Sequence, residues 1–288
     1  MAPYLQIIQS FIFMANDDAP SSIQKVKVKS SDSEAISSDS VVVEEPLEIR
    51  IKKGSQEEQL GITMRTPGAD LQLAAGFLWG EGFLSSPSQL ISVKVCGDRS
   101  LTPRQRANVV IAEVTNDAPD FSRKMDRRFT MNSACGVCGS SNIDDLKARG
   151  ITPVVGNSKS HTELAHFTDL LQNNQRIFDK TGGLHAALLI DPNGEVIWAH
   201  EDVGRHNAVD KVIGEALMNQ KIPLQFWSLV VSGRVGYEIV QKAICAGISS
   251  LVGVSAPTSL AIELADEFNL TLLAFARGGK AKRYQKIS

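Results

Sequence analysis

Past Pro46, the stretch Val41-Val-Val-Glu-Glu-Pro-Leu-Glu-Ile-Arg-Ile51 alternates apolar and polar residues, with β-branched side chains among the apolar ones. Alternation of period two buries one face of a strand. Lys53-Gly54 follows as a turn and a second strand is expected around 61–65, so the segment predicts a β-hairpin. Thr66-Pro67-Gly68-Ala69-Asp70 carries turn and capping chemistry, after which apolar residues return at helical spacing through 71–83. Gly76, Gly80 and Gly82 let another backbone or a ligand approach that helix closely, and packing is the expected reason. Strand-like runs at 91–95 and 108–114 complete a β-rich N-terminal unit with one helix.

Beyond residue 160 helical and strand patterns alternate. Helices are expected at 162–173, 207–218, 237–246 and 258–268, and strands at 186–190, 196–199, 229–232, 251–254 and 271–275. Asp191-Pro-Asn-Gly194 joins the first two strands as a hairpin turn, and His200-Glu201-Asp202 closes the second. Strands alternating with helices predict a mainly parallel sheet covered on both faces, whose ligands bind outside the carboxyl ends of the strands. The loops at that edge are Ser232-Gly233-Arg234, Ser255-Ala256-Pro257-Thr258 and the stretch 275–280. Small residues, hydroxyls, cations and helix N-termini together suit a polyphosphate. Neither the Walker pattern nor G-x-G-x-x-G occurs, which weighs against an ordinary nucleotidase or dehydrogenase.

Composition narrows the range of functions. A chain of 288 residues, 43% hydrophobic and 22% charged, reads as soluble and globular, with one large or two modest domains. A formal net charge of -2 gives no overall pull toward nucleic acid or anionic membrane, so an anion-binding surface must be local. Residues 5–14 are mostly apolar but lack a preceding Lys or Arg and are too short to span a bilayer; they read as a tail or an upstream start, with an interfacial or targeting segment as the alternative. Residues 17–40, rich in Ser, Asp and Lys, are expected to carry no order, with the fold beginning near Val41.

The candidate chemistry centres on Asn132-Ser-Ala-Cys135-Gly-Val-Cys138-Gly-Ser140. A Cys-x-x-Cys can be half of a tetrahedral zinc site, a dithiol that closes to a disulfide, or a nucleophile beside a resolving thiol. Cys96 and Cys245 stand alone and read as small buried hydrophobes, so no second half of a zinc site is evident. Four cysteines in a chain of this length favour a reducing, cytoplasmic compartment. The basic run at 122–128 precedes the pair, and nearby cations stabilise a thiolate. His185, His200, His206 and Asp202 are candidates for orienting a site or moving protons, whereas His161 and His166 read as structural.

Five stretches in order carry a family resemblance: Cys135-Gly-Val-Cys-Gly139, Thr181-Gly-Gly-Leu-His-Ala-Ala187, His200-Glu-Asp-Val-Gly-Arg-His206-Asn-Ala-Val-Asp-Lys211, Val231-Ser-Gly-Arg-Val-Gly-Tyr-Glu-Ile-Val-Gln-Lys242 and Phe275-Ala-Arg-Gly-Gly-Lys280. From about Glu44 to the C-terminal end the chain resembles the FdhD family of formate dehydrogenase accessory sulfurtransferases. The resemblance implies an α/β fold: a cytidine-deaminase-like three-layer αβα domain over 129–288, opening with the loop that holds the cysteines. A smaller α+β domain over 41–128 and a tail over 1–40 would precede it. It implies that Cys135 accepts persulfide sulfur from a cysteine desulfurase and passes it to the molybdenum of Mo-bis(molybdopterin guanine dinucleotide), before that cofactor enters formate dehydrogenase. Cys138 would relay or resolve the sulfur, or tune Cys135 through a thiol hydrogen bond. Phe275, Ala276, Arg277, Gly278, Gly279 and Lys280 align with the family's cofactor-binding segment, with Ser232, Arg234, Ser255, Thr258 and His185 as further candidates. A homodimer is implied, for which the helix at 71–83 with Trp79 is either a face or core; zinc, nucleic acid and membrane are not. Two rivals remain: a cofactor-binding chaperone without sulfur chemistry, and a zinc deaminase-like hydrolase. The second is weakened because Ala134 replaces the proline of P-C-x-x-C and His200-Glu201 lacks the residue between that H-x-E requires.

Overall fold

A computed structural model of the chain describes residues 21–32, 35–120, 143–156 and 159–285. Cys135, Cys138, the basic run at 122–128 and the expected boundary at 128/129 lie outside the described residues.

Strands β1 (Ile23–Lys29) and β2 (Ile36–Val42) pair antiparallel, from Ile23 opposite Val42 to Lys29 opposite Ile36. The expectation that 17–40 lacks order is therefore corrected from Ile23 onward. Composition concealed the period-two pattern in which Val26 and Val28 alternate with Lys25, Lys27 and Lys29. The Ser22 hydroxyl donates to Pro67 O at 2.8 Å and Val43 N donates to Ser22 O at 3.0 Å, tying the hairpin's base to the next unit.

The expected second hairpin is β3 (Glu45–Lys53) with β4 (Gln56–Arg65). Leu47, Ile49 and Ile51 are buried on one face of β3, against α1 (Asp70–Gly80). After β5 (Leu90–Val95) and the short α2 (Pro103–Ala107), β6 (Val109–Val114) completes a sheet of order β4-β3-β6-β5. Trp79 is 8% exposed and its indole N–H donates to Cys245 O at 2.9 Å, so α1 is core within the chain.

Three short helices follow the undescribed stretch or lie near it: α3 (Ile143–Ala148), α4 (His161–His166) and α5 (Asp169–Gln172). The single helix expected at 162–173 is thus two. Phe167, Thr168 and Leu170 donate to carbonyls three residues back, and the Thr168 hydroxyl takes Ala165 O at 2.9 Å, tightening the chain between them. After α6 (Phe178–Thr181) come β7 (His185–Ile190), β8 (Val196–Asp202), α7 (Arg205–Met218), β9 (Ser228–Val231), α8 (Tyr237–Cys245), β10 (Ser250–Gly253), α9 (Ser259–Glu267), β11 (Thr271–Arg277) and β12 (Lys280–Tyr284).

These strands form a six-stranded sheet of order β12-β11-β10-β9-β7-β8. β9, β10 and β11 run parallel, whereas β7 pairs antiparallel with both β8 and β9, and β12 antiparallel with β11. The mainly parallel sheet expected from sequence is corrected to a mixed one. Tight turns at 191–194 and at Gly278-Gly279 return the chain directly beside the strand it has left. β12 went unexpected because Lys280, Lys282 and Arg283 make it polar, as suits an edge strand.

Both faces of the sheet are covered, as expected. Leu188, Val230, Val252 and Leu273 pack with Leu164 of α4 and Leu171 of α5, while Leu189, Leu229, Leu251 and Leu272 pack with residues of α7, α8 and α9. That second cluster continues through α1 to Leu47 and Ile51 of the first sheet, giving the described parts of both halves one shared core.

The halves meet where α1 crosses α7 with almost no space between backbones. A Cβ on Gly214 would lie 1.8 Å from Gln72 O, and one on Gly76 would lie 1.9 Å from Asp210 O. Gly80 and Gly82 accommodate the side chains of Lys242 and Arg149, so Gly76, Gly80 and Gly82 all serve packing. A polar lock accompanies the crossing. Asp202 is 0% exposed and Lys211 2%, with Nζ 2.7 Å from Oδ2. The same carboxylate accepts from Thr66 N, Gly204 N and Asn207 Nδ2, while Lys211 donates to Thr66 O and Glu201 O.

Two outcomes follow for stability. Gly214→Ala lowers the unfolding free energy by about 1–3 kcal/mol through overpacking, read from urea denaturation; wild-type stability would mean that the crossing has slack. Asp202→Asn leaves Lys211 buried without its counter-ion and costs about 3–5 kcal/mol. Adding Lys211→Met to Asp202→Asn should recover part of that loss, and no recovery would show that the pair is not the origin.

Candidate functional site

The mixed sheet brings distant residues to one edge. β9, β10 and β11 end there because they are parallel, and antiparallel β7 begins there, with Ser232 N donating to Ala186 O at 3.0 Å. The Ser232 hydroxyl accepts from Ala186 N at 2.9 Å. A cavity of about 560 Å³ opens at this edge, lined on the sheet side by His185, Ser232, Ala276 and Arg277. Thr168, Asp169 and Gln172 of the α4–α5 segment line the other side.

Four residues singled out from sequence therefore converge: His185, Ser232, Ala276 and Arg277. The others lie around them in supporting places. Thr258 caps α9, its hydroxyl accepting from Ala261 N at 3.4 Å, and Ser255 O accepts from Phe275 N at 3.3 Å. Arg234 follows Gly233 on the loop after β9 and does not line the cavity. The stretch 275–280, expected as an open loop, is instead the end of β11, a two-glycine turn and the start of β12. Gly278 and Gly279 have φ of 54° and 71°, and a Cβ on Gly279 would strike the His166 ring at 2.3 Å. Glycine is required here by both conformation and space. Phe275 also has a positive φ of 51°, at an irregularity in the β11–β12 register; it is 47% exposed, with Lys282 Nζ 5.1 Å from its ring centroid.

Electrostatics at the cavity wall are one-sided. Burial pushes the half-buried His185 imidazole below its ordinary 6.5, the cations of Arg205, His206 and Arg234 push it the same way, and Asp202 opposes them. The His206 ring lies 3.0 Å from Glu238, whose carboxyl that hydrogen bond holds below the ordinary carboxylate range. His200 pairs with Glu215 at 3.2 Å and His166 with Asp169 at 3.1 Å. Asp202, considered from sequence for proton transfer, has its carboxylate occupied by the lock with Lys211.

Sequence reasoning passed over Arg205 and Asp169. Arg205 stands inside the motif quoted for its histidines, and its significance lies in burial: Nε is enclosed and has no hydrogen-bond partner among the described residues. Cys96 and Cys245 are buried as expected; burial pushes the Cys245 thiol up, with Arg149 Nη2 at 3.6 Å from its sulfur. Among the described residues no group of three or more His, Cys, Asp or Glu is placed to hold a metal ion, and no helix is long and apolar enough to cross a membrane.

Similarity to known proteins runs over nearly the whole described chain. The FdhD/NarQ family model matches residues 42–288. The sulfur carrier protein FdhD of Streptomyces coelicolor is 43% identical over 251 residues, covering 85% of this chain and 87% of that protein. Its namesake in Sulfurisphaera tokodaii is 41% identical over 264 residues, covering 91% and 96% respectively. A crystal structure described as a formate dehydrogenase accessory protein from Desulfotalea psychrophila superposes with a TM-score of 0.67 over 92% of this chain and 96% of that one. At 21% sequence identity that likeness concerns the fold. With a family model spanning the chain from residue 42 and relatives above 40% identity over most of their own length, the chain belongs to the FdhD/NarQ family.

Proposed function

We propose that this protein is a cytoplasmic sulfur carrier that serves formate dehydrogenase by loading sulfur onto its molybdenum cofactor. The observation that carries the reading is the family match over residues 42–288, which spans the Cys135-x-x-Cys138 pair, to relatives named as sulfur carriers. Cys135 is the acceptor. Its thiolate attacks the terminal sulfur of a persulfide on a cysteine desulfurase; a sulfur–sulfur bond forms at Cys135 while the donor's breaks, and the donor leaves as a thiolate. No net oxidation occurs, and no outside reductant is needed for this step. The terminal sulfur leaves in one of two ways. It passes as neutral sulfur to an acceptor that supplies the two electrons making it sulfide, which returns Cys135 to its thiolate. Alternatively it leaves as hydrosulfide when Cys138 attacks the Cys135 sulfur, which leaves a Cys135–Cys138 disulfide for a dithiol reductant to reopen.

The cargo is Mo-bis(molybdopterin guanine dinucleotide), bound as substrate. The cavity at the strand ends suits part of such a ligand: about 560 Å³, with Arg277, His185 and Ser232 on one wall. Arginine meets phosphate oxygens in a planar fork, and the flat exposed Phe275 beside Lys282 offers a surface on which a purine can stack. The αβα half is read as a deaminase-like scaffold put to different chemistry, and the working form as a homodimer. Sulfur transfer, rather than cofactor docking alone, is favoured by a thiol pair that a pure chaperone would not need.

Intact mass spectrometry after incubation with a cysteine desulfurase and cysteine tests the carrier step, with zinc assayed on the same sample. Wild type should gain one reductant-sensitive sulfur, Cys135→Ser none, and Cys138→Ser should still be charged at residue 135. A Cys135→Ser protein that still supports formate dehydrogenase maturation would favour the chaperone, and stoichiometric zinc with no added sulfur would favour a metal site.

A further inference from the structure

Cationic groups gather where the first residue of β7, the first turn of α7 and the loop after β9 meet. A Cβ on Gly233 would lie 3.2 Å from His185 Nδ1 and 3.3 Å from Arg205 Cβ, so the three segments are in close contact. Arg234 is the next residue on that loop, and the charges of Arg205, His206 and Arg234 all reach the His185 ring. The carboxylates in the neighbourhood are already engaged. Asp202 is held by Lys211, Asn207 and two backbone amides, and Glu238 by His206. Neither supplies an acceptor to Arg205, whose enclosed Nε–H has no partner among the described residues. α7 begins here without a side-chain cap and without an acidic residue in its first turn. An enclosed N–H on a half-buried guanidinium, with no partner among the described residues and with like charges around it, is the kind of donor an anion satisfies.

We infer that Arg205, with Arg234 and His185, forms a phosphoryl-anion subsite at the β7–β9 end of the cavity, and that it takes a phosphate of a nucleoside-diphosphate-bearing ligand. The subsite is distinct from the Arg277 turn. β7 and β11 are three strand spacings apart in the sheet, which at about 4.8 Å each places the two ends roughly 14 Å from one another. His185 and Ser232 line the cavity, so a ligand there reaches the cluster through them. This inference rests on the proposed reading that the cavity binds a guanine dinucleotide cofactor, and it adds where a phosphate is held and by which residue.

Isothermal titration calorimetry of the full chain with inorganic pyrophosphate, and separately with guanosine diphosphate, tests it. Arg205→Met should weaken both by about tenfold or more, as expected for losing a hydrogen bond to a charged group. Arg205→Lys keeps the charge and should fall between. An independent readout on the unaltered protein is the His185 ring: its NMR titration midpoint should lie below 6.5 without ligand and rise when pyrophosphate saturates the site. An unmoved His185 midpoint, or a folded Arg205→Met that binds both ligands as wild type does, would overturn the subsite. If only Arg277→Met weakens binding, the subsite fails and the cofactor reading stands; if the wild type binds neither ligand, both fall.

Discussion

The ion pair between Asp202 and Lys211 is the constraint on which the rest of the structure hangs, because neither charge has access to water. A buried pair is tolerated only when every remaining hydrogen-bonding position is filled. Here Thr66, Gly204, Asn207 and the carbonyl of Glu201 fill them. These partners come from the end of β4, the exit of β8 and the first turns of α7. Satisfying the pair therefore fixes the two sheets and the start of the helix relative to one another. Asn207 extends the lock by donating to Met64 O and accepting from the Thr63 hydroxyl. A second buried pair, Asp210 with Lys242, joins α7 to α8 at the residue next to Lys211, and burial pushes the Asp210 carboxyl up to about 6 against the attraction of Lys242. The glycine contacts between α1 and α7 make this closeness possible, since any Cβ there would force the backbones apart and stretch both pairs.

Much of this was legible in the sequence, and the failures share a cause. The hairpin of β3 and β4, the helix α1 and the succession from β7 to β11 followed from periodicity, because each buries one face in a large core. Elements that bury little were missed. β1, β2 and β12 are edge or two-stranded pieces whose apolar content is too small to stand out, and their order comes from backbone pairing and tight turns. Strand direction was misjudged because alternation of helix and strand reports connectivity, whereas the two hairpins within the sheet set direction at its ends. At the candidate site, Ser232, Ala276 and Arg277 could be gathered from the rule about strand ends, whereas His185 came from the histidine pattern and the family resemblance. Arg205 could not, since an arginine in a motif reads as solvated until its burial is known.

The HEDVGRHNAVDK stretch divides its labour in a way that its histidines obscure. Asp202, Asn207 and Lys211 build the lock, and Glu201 accepts from Ile177 N and Phe178 N, which holds α6 at the cavity rim. Arg205 and His206 lie between these anchored positions, on the first turn of α7, and face the opposite way in function. Fixing neighbours on both sides is what lets Arg205 keep its Nε–H enclosed beside other cations. Left to relax, the arginine would turn toward water. An enclosed donor without an acceptor lowers stability, and a fold keeps such a group where its surroundings overdetermine it. The same rigidity makes the site responsive: an anion that satisfies Arg205 removes a penalty already present in the free protein, so binding strengthens the folded state beyond the new contacts it forms. In this way the buried pair that holds the two halves together also fixes the charged turn of α7, where the enclosed Arg205 Nε–H is the donor that the inferred phosphate would satisfy.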